Sequence, residues 1–400
     1  MIRFAYTGRS QTGQAVKGFV EAENEVEARK QLRESGHYIT SLKVATTSKP
    51  LFQKTPRVKA KDLAIFCRQF AIMLGTGLTL VNSLELLEAQ ATDKAFAHVL
   101  REIRLDVSSG VGFTRAIEKH AKMFPTVFVS LVEAGEITGA LPEVLDRLAI
   151  YYEREDELAK KIAEALMYPG IITAVSFLMV LLLLFVVLPS LVSTFAGFGV
   201  ETPAITQNVL DARDWILANW YIIAGVILIV VLGYRYFVST TGGRMIRDRI
   251  KLKFPILGGI QQMVVFSRFC RTLSLLLRSG IAMIQSLQIL ERLMDNVVVQ
   301  RALAGARLGV ERGQGLSEPL GEYKVFPIML VQMVAVGEET GSLETVLIQL
   351  ADYYDREVNF LVASFTKLIE PVVMIILAVV VLFILISVYL PMMQMVTSIS

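Results

Sequence analysis

Residues that usually carry catalysis are scarce in this 400-residue chain. There are two cysteines and three histidines. Cys67 and Cys270 fall on predicted helices, at matching places in a repeat described below. Two buried small residues in a reducing compartment is the favoured reading, over a disulfide or redox pair. His37, His98 and His120 are scattered without ligand spacing, so no metal role is assigned to them. The chain has no Walker-type loop ending in Gly-Lys-Ser/Thr, no His-Glu-x-x-His, no Cys-x-x-Cys and no Gly-x-Ser-x-Gly. Those absences leave the common routes to nucleotide hydrolysis, metalloprotease, thiol redox and serine-hydrolase chemistry without their carriers. No enzyme activity, cofactor or metal is therefore expected. A large excess of one charge is also missing. The net charge of +3 is too small to argue for nucleic acid. The first residues, Met1 to Arg9, are polar and strand-like with no apolar h-region, so no secretory signal is expected.

Charge is absent in a more telling place. Pro169–Leu188, Trp215–Tyr234 and Val372–Leu390 contain no Asp, Glu, Lys, Arg or His. Each is close to the ~20 residues needed to cross a bilayer. The apolar fraction of 54% against 19% charged residues fits a membrane protein. Ionisable groups inside a membrane usually mark a proton or ion path, so their absence argues against a pump or proton-coupled channel.

What is present is a duplication. Ala134-Gly135-Glu136-Ile137-Thr138-Gly139-Ala140-Leu141 recurs as Val336-Gly337-Glu338-Glu339-Thr340-Gly341-Ser342-Leu343. Such self-similarity dictates the architecture before any local reading does. Phe66-Cys67-Arg68 matches Phe269-Cys270-Arg271. Gly77, Ser83, Leu84, Leu87 and Glu88 match Gly280, Ser286, Leu287, Leu290 and Glu291 at the same offset, as Gly110 and Gly112 match Gly313 and Gly315. One residue is then lost. Phe124-Pro125, Tyr151-Tyr152, Pro169 and Leu188-Pro189 match Phe326-Pro327, Tyr353-Tyr354, Pro371 and Leu390-Pro391. The repeats run over roughly 61–189 and 264–391.

The duplicated motif predicts a helix–turn–helix. The incoming helix is expected to stop near Gly135, where glycine tolerates turn dihedrals. The next starts at Leu141, with Pro142 in its first turn. Its apolar positions Leu141, Val144, Leu145, Leu148, Ala149 and Tyr152 share one face. Glu143–Arg147 and Glu157–Lys161 are expected as outer i,i+4 pairs. Glu136 and Glu338 keep three readings open: a cap or turn contact, a partner's arginine, or a hard cation.

In chain order, residues 1–44 read as a small ββαβ cap module. It has strands over Arg3–Thr7 and Ala15–Ala22, a turn at Gln11-Thr12-Gly13, a helix over Glu25–Ser35 and a strand over Tyr38–Val44. Residues 45–60 form a polar, basic linker, read as solvated rather than grazing anionic lipid. Residues 61–168 form a helical domain, with helices expected near 62–74, 79–90, 93–109, 112–121, 125–134 and 141–166 in an antiparallel bundle. A first span covers 169–189, an external loop 190–214 and a second span 215–234. Residues 235–370 form the second helical domain, 371–391 a third span and 392–400 an external tail. The loop between the first two spans has one basic residue, Arg213. After the second come Arg235, Arg244, Arg247, Arg249, Lys251 and Lys253. The positive-inside rule then puts both helical domains and the N-terminus in the cytoplasm and the C-terminus outside. The fold class expected is mainly α: two tandem six-helix bundles, three transmembrane helices and a small N-terminal α+β cap.

Arg68-Gln69 to Met73-Leu74-Gly75-Thr76-Gly77-Leu78, the motif Ala-Gly-Glu-x-x-Gly-x-Leu, and Tyr168-Pro169 opening a span together resemble the type II secretion F domain. The likeness covers essentially the whole chain, including Phe254-Pro255-Ile256-Leu257-Gly258. One departure is Glu370-Pro371 where the first repeat has Tyr168-Pro169. The family is the PilC/GspF group of inner-membrane platform proteins of type IV pilus and type II secretion machines. The resemblance implies a non-enzymatic protein that couples a cytoplasmic hexameric assembly ATPase to pilin or pseudopilin extraction and polymerisation. Other inner-membrane assembly proteins and further copies of itself are the remaining partners implied, with no nucleic acid. The motif residues expected to matter are Arg68, Gly135, Glu136, Gly139, Leu141 and Pro169, with Arg271, Gly337, Glu338, Gly341, Leu343 and Pro371. The alternative is a permease subunit or scaffold partnered with a separate ATPase.

Overall fold

The computed structural model describes residues 2–10, 15–22, 37–44, 58–197, 204–254 and 257–399. They divide into two units, Met1–Pro56 and Arg57–Ser400. The first contains an antiparallel sheet of β1 (Ile2–Ser10), β2 (Ala15–Ala22) and β3 (His37–Val44), in the order β2-β1-β3. Arg3 stands opposite Glu21, and the pairing of β1 with β3 shifts register between Thr7 and Gly8. The three expected strands are therefore present. The turn at 11–13, the helix over 25–35 and linker residues 45–57 lie outside the described residues.

In the second unit, the first repeat supplies α1 (Ala60–Gly75), α2 (Leu80–Gln90), α3 (Lys94–Ser108), α4 (Phe113–Glu118), α5 (Thr126–Thr138) and α6 (Leu141–Leu182). A π-helical turn (Leu183–Val187) and α7 (Leu188–Gly197) prolong α6. Then come α8 (Ala204–Ala218), α9 (Trp220–Ser239) and α10 (Thr241–Lys253). The second repeat supplies α11 (Leu257–Arg278), α12 (Met283–Leu293), α13 (Val297–Glu311), α14 (Ser317–Gly321), α15 (Ile328–Glu339) and α16 (Leu343–Ile399). In each repeat the first and last helices pack along one another, α1 on α6 and α11 on α16.

Local chemistry explains where these helices begin. Asp93 caps α3 by accepting from the Ala95 amide at 2.7 Å; its counterpart Asn296 caps α13 by accepting from Val298 at 2.9 Å. Along α1, Leu63, Ala64, Phe66, Cys67, Phe70 and Ala71 are buried, the three-and-four spacing of one helical face. Phe66 touches Phe70, Phe96, Phe124 and Phe128, with centroids 5.4 to 6.3 Å apart. Such tilted and edge-on contacts suit the aromatic quadrupole. Cys67 and Cys270 are buried free thiols, and burial pushes both up from their ordinary pKa.

Three helices among the described residues are long and apolar enough to cross a membrane: Leu141–Thr194, Trp220–Ser239 and Leu343–Phe383. Val175, Ile229 and Ile375 are among their many exposed large side chains, an arrangement that hydrocarbon satisfies and water opposes. The second span begins at Trp220. Composition alone places its start at Trp215, but the chain breaks at Asn219, which leaves Trp215 on α8. The first and third spans are not separate elements. They continue α6 and α16, and Pro169 and Pro371 lie inside those helices.

Candidate functional site

The candidate site is the duplicated corner at which each long helix starts. The incoming helix does not stop at Gly135. α5 continues to Thr138, so Gly135 is buried within the helix. Its role is close packing. A Cβ there would stand 3.2 Å from the Leu141 Cα and 3.1 Å from Val144 Cγ2. At Gly337 it would meet the Leu343 Cα at 3.0 Å. The turn itself belongs to the later glycines, Gly139 at φ 71° and Gly341 at φ 65°. In the second repeat, Ser342 N–H reaches Gly337 O at 2.9 Å and Gly341 N–H reaches Glu338 O at 3.2 Å, closing α15 with a full Schellman motif. Leu141 and Leu343 then begin α6 and α16.

Glu136 caps a helix, but not the one that follows it. It reaches back to the start of α4 and accepts from the Phe113 and Thr114 amides, both at 2.8 Å, and from the Thr114 hydroxyl. Glu338 does the same for α14, accepting from the Leu316 amide and from Ser317 N–H at 3.0 Å. A carboxylate at a helix N-terminus satisfies orphan amides and complements the helix dipole. Burial pushes the Glu136 carboxyl up, while the Thr114 hydroxyl, the two amides and Arg115 together outweigh it. Its pKa ends below the ordinary carboxylate value. Gly112 and Gly315 are explained by the same contact, since a Cβ at either would come within 3.1 Å of the carboxylate.

Arg68 and Arg271 clamp the first helix of each repeat to the last. Arg68 pairs with Glu153 at 2.8 Å and with Asp146; Arg271 pairs with Asp352 at 3.2 Å and with Asp355. Glu153 and Asp355 occupy equivalent places. Hydrogen bonding to Glu153 raises the Arg68 pKa further, which keeps that clamp charged. The structure therefore gathers Gly135, Glu136, Gly139 and Leu141 at one corner, while Arg68 on α1 grips α6 at Asp146 and Glu153 and Pro169 lies further along α6. The second repeat gathers Gly337, Glu338, Gly341 and Leu343 the same way, with Arg271 of α11 gripping α16 at Asp352 and Asp355 and Pro371 further along α16.

Sequence reasoning missed the junction between the repeats. Arg147, expected to pair with Glu143, instead donates to Arg278 O at 2.6 Å and to Ser279 Oγ. The other expected pair forms, with Lys161 Nζ 2.8 Å from Glu157. Arg268 pairs with Glu155 at 2.7 Å, Thr272 Oγ1 reaches Tyr151 OH at 3.3 Å, and Thr366 Oγ1 reaches Ala165 O at 3.2 Å. A cleft of about 250 Å³ beside these contacts is lined in part by Arg147, Arg154, Arg271 and Arg278. Most of these residues lie outside the repeated motifs, and only the folded chain brings them together. His98 and His120, scattered in the sequence, both approach Glu102, at 3.7 and 3.6 Å.

Similarity to known proteins follows the same outlines. The family described as "Type II secretion system (T2SS), protein F" matches residues 66–189 and again 269–391, and its N-terminal domain matches residues 1–43. The "Type IV pilus assembly protein PilC" of Thermus thermophilus is 36% identical over 404 residues, covering 99% of each chain. The protein of the same name from Myxococcus xanthus is 34% identical, over 97% of this chain and 94% of its own. The "Type II secretion system protein F" of Vibrio cholerae is 29% identical, over 99% of this chain and 98% of its own. Three membrane-length helices and these relatives make this an inner-membrane protein. With both halves and the N-terminal segment matched, the chain belongs to the type II secretion system protein F family.

Proposed function

We propose that the chain is the inner-membrane platform of a type IV pilus or type II secretion machine, coupling a cytoplasmic hexameric assembly ATPase to the extraction and polymerisation of pilin or pseudopilin. The observation that carries this reading is the continuity of the long helices. α16 runs unbroken from the Gly341 corner through its apolar stretch, and α6 runs from the Gly139 corner into the first span. A helix held at its base by a close-packed glycine corner and along its length by an arginine clamp passes displacement along its axis, because interior packing does not yield to small shifts. A push on a helical bundle would therefore arrive at the membrane.

The partners follow: the ATPase on the cytoplasmic bundles, pilin or pseudopilin against the spans, other inner-membrane assembly proteins, and further copies of this chain. The domain boundaries proposed are those of the sequence reading, with the second span starting at Trp220, a multi-pass topology, a cytoplasmic N-terminus and an external C-terminus. The basic residues of α10 support this orientation. In this reading the protein performs no catalysis of its own, and Glu136 and Glu338 serve the corner rather than a reaction.

The test is co-purification of the detergent-solubilised chain, with and without residues 1–60, against the assembly ATPase encoded nearby. Binding that depends on the bundles or the N-terminal segment, with stimulated ATP turnover, is expected. Failure to bind in every nucleotide state would overturn the platform reading in favour of a permease subunit or scaffold.

A further inference from the structure

The two repeats meet in two ways. Their long helices α6 and α16 pack on one another, and α5 and α6 of the first also pack on α11 and α12 of the second. A two-fold arrangement would also bring α15 and α16 against α1 and α2, and no comparable contact joins those helices among the described residues. The contact between the bundles is heterologous, and it leaves one face of each kind without its mate: α1/α2 at one end, and α15 with the adjoining part of α16 at the other, while α16 further along packs on α6.

Both unpaired faces are apolar where their counterparts are covered. On α12 and the turn before it, Ile281 and Ile289 are 7% and 5% exposed. The equivalent Leu78 and Leu86 of the first repeat are 41% and 45% exposed. Ile72, matching Leu275, is also exposed. At the other end, Val127 on α5 is 1% exposed, and its counterpart Met329 on α15 is 44% exposed, beside exposed Ile328 and Val336. Clustered apolar side chains of this size mark an interaction surface.

We infer that copies of this chain associate head to tail, the α15/α16 face of one seating on the α1/α2 face of the next, as the first repeat seats on the second within the chain. The within-chain junction is the template. The Arg147–Ser279 contact becomes Gln349 near Thr76, Tyr151–Thr272 becomes Tyr353 near Gln69, and Glu155–Arg268 becomes Glu357 near Ile65. The step stays in the membrane plane. Where α6 and α16 touch, Ala165 faces Thr366, and Thr366 adjoins Lys367, the counterpart of Ala165. The two repeats therefore differ by almost no rise along the long helices. A heterologous interface repeated without rise closes into a ring rather than growing a filament. This deepens the self-association proposed above by naming its surfaces and direction, and it does not depend on coupling to an ATPase.

Cross-linking in membranes tests it. Two differently tagged full-length chains are co-expressed, one carrying Thr76→Cys and the other Gln349→Cys, and treated with a short bis-maleimide. Cys67 and Cys270 are buried and stay out of the reaction. A mixed product is expected, with little product from either variant alone. Leu86→Arg, with an unchanged thermal melt, is expected to weaken self-association about tenfold or more. Ile65→Arg, which recreates the Arg268–Glu155 pair with Glu357 across copies, is expected to increase the mixed product. Self-products as strong as the mixed one would signal a two-fold dimer and overturn the inference. A missing mixed product would do so too, leaving the α1/α2 face to residues 1–56 or to another protein. Neither failure would affect binding of the ATPase, so the two proposals fall separately.

Discussion

The first and second repeats build one fold from different side chains. The first fills its core with Phe66, Phe70, Phe96, Phe113, Phe124 and Phe128. At the matching positions the second has Phe269, Leu273, Val299, Leu316, Phe326 and Leu330, and all twelve are buried. Smaller side chains substitute for phenylalanine wherever total volume and pattern allow. The corner tolerates no such freedom. Both copies keep a buried helical glycine, a left-handed glycine and a glutamate cap, because each meets a backbone demand that volume cannot replace. Core identity drifts between the repeats, while corner geometry stays fixed.

The spans differ as well. The first is interrupted by the π-helical turn at Leu183–Val187, whereas the same region of the third lies within the unbroken α16. Phe185 in that turn lies under the Arg213 guanidinium of α8, 5.8 Å from the ring centroid. π-helical turns often accompany functional sites. At the position matching Phe185, the sequence of the third span has a serine, Ser387.

Breaking the corner is expected to have the largest effect. Gly135→Leu and Gly337→Leu force a side chain into the backbone of the outgoing helix, and each is expected to cost about 3 kcal/mol by thermal unfolding in detergent. Equal losses would show the two corners to be equivalent; a loss confined to one would show that the repeats carry unequal shares of stability. The arginine clamps come next. Arg271→Ala, whose side chain is more buried than that of Arg68, is expected to cost about 2 kcal/mol, and Arg68→Ala about 1 kcal/mol.

The glutamate caps give the smallest effect and the sharpest contrast. Glu136 accepts from three donors and Glu338 from two. Glu136→Gln is expected to cost about 1 kcal/mol, and Glu338→Gln less. The folded pKa of Glu136 lies below its unfolded value. Its contribution is therefore complete above the unfolded pKa and is lost as pH falls through the folded one. Melting temperatures followed from neutral to acid pH are expected to fall less steeply in Glu136→Gln than in the parent. An unchanged slope would remove the cap from the acid response.

Much of this is legible in the chain. The duplication, the three uncharged runs and the helix starts at Leu141 and Leu343 follow from spacing and composition, which are local properties. Most helix bounds agree to within a few residues for the same reason. Gly135 reads as a stop because a buried glycine and a turn glycine look alike in a sequence; only the approach of Leu141 and Val144 separates them. Glu136 is legible as a capping residue, but its helix is not, since α4 starts more than twenty residues earlier and only folding brings it near.

Local sequence dictates the number of repeats, the apolar spans and the corner's chemistry, because periodicity and glycine placement act within a few residues of chain. Tertiary packing settles which helix each glutamate caps, that Arg147 leaves Glu143 for Arg278 and Ser279, and that the repeats join through unlike faces. Those outcomes depend on contacts between segments far apart in the chain, and such contacts exist only once both repeats have folded and packed.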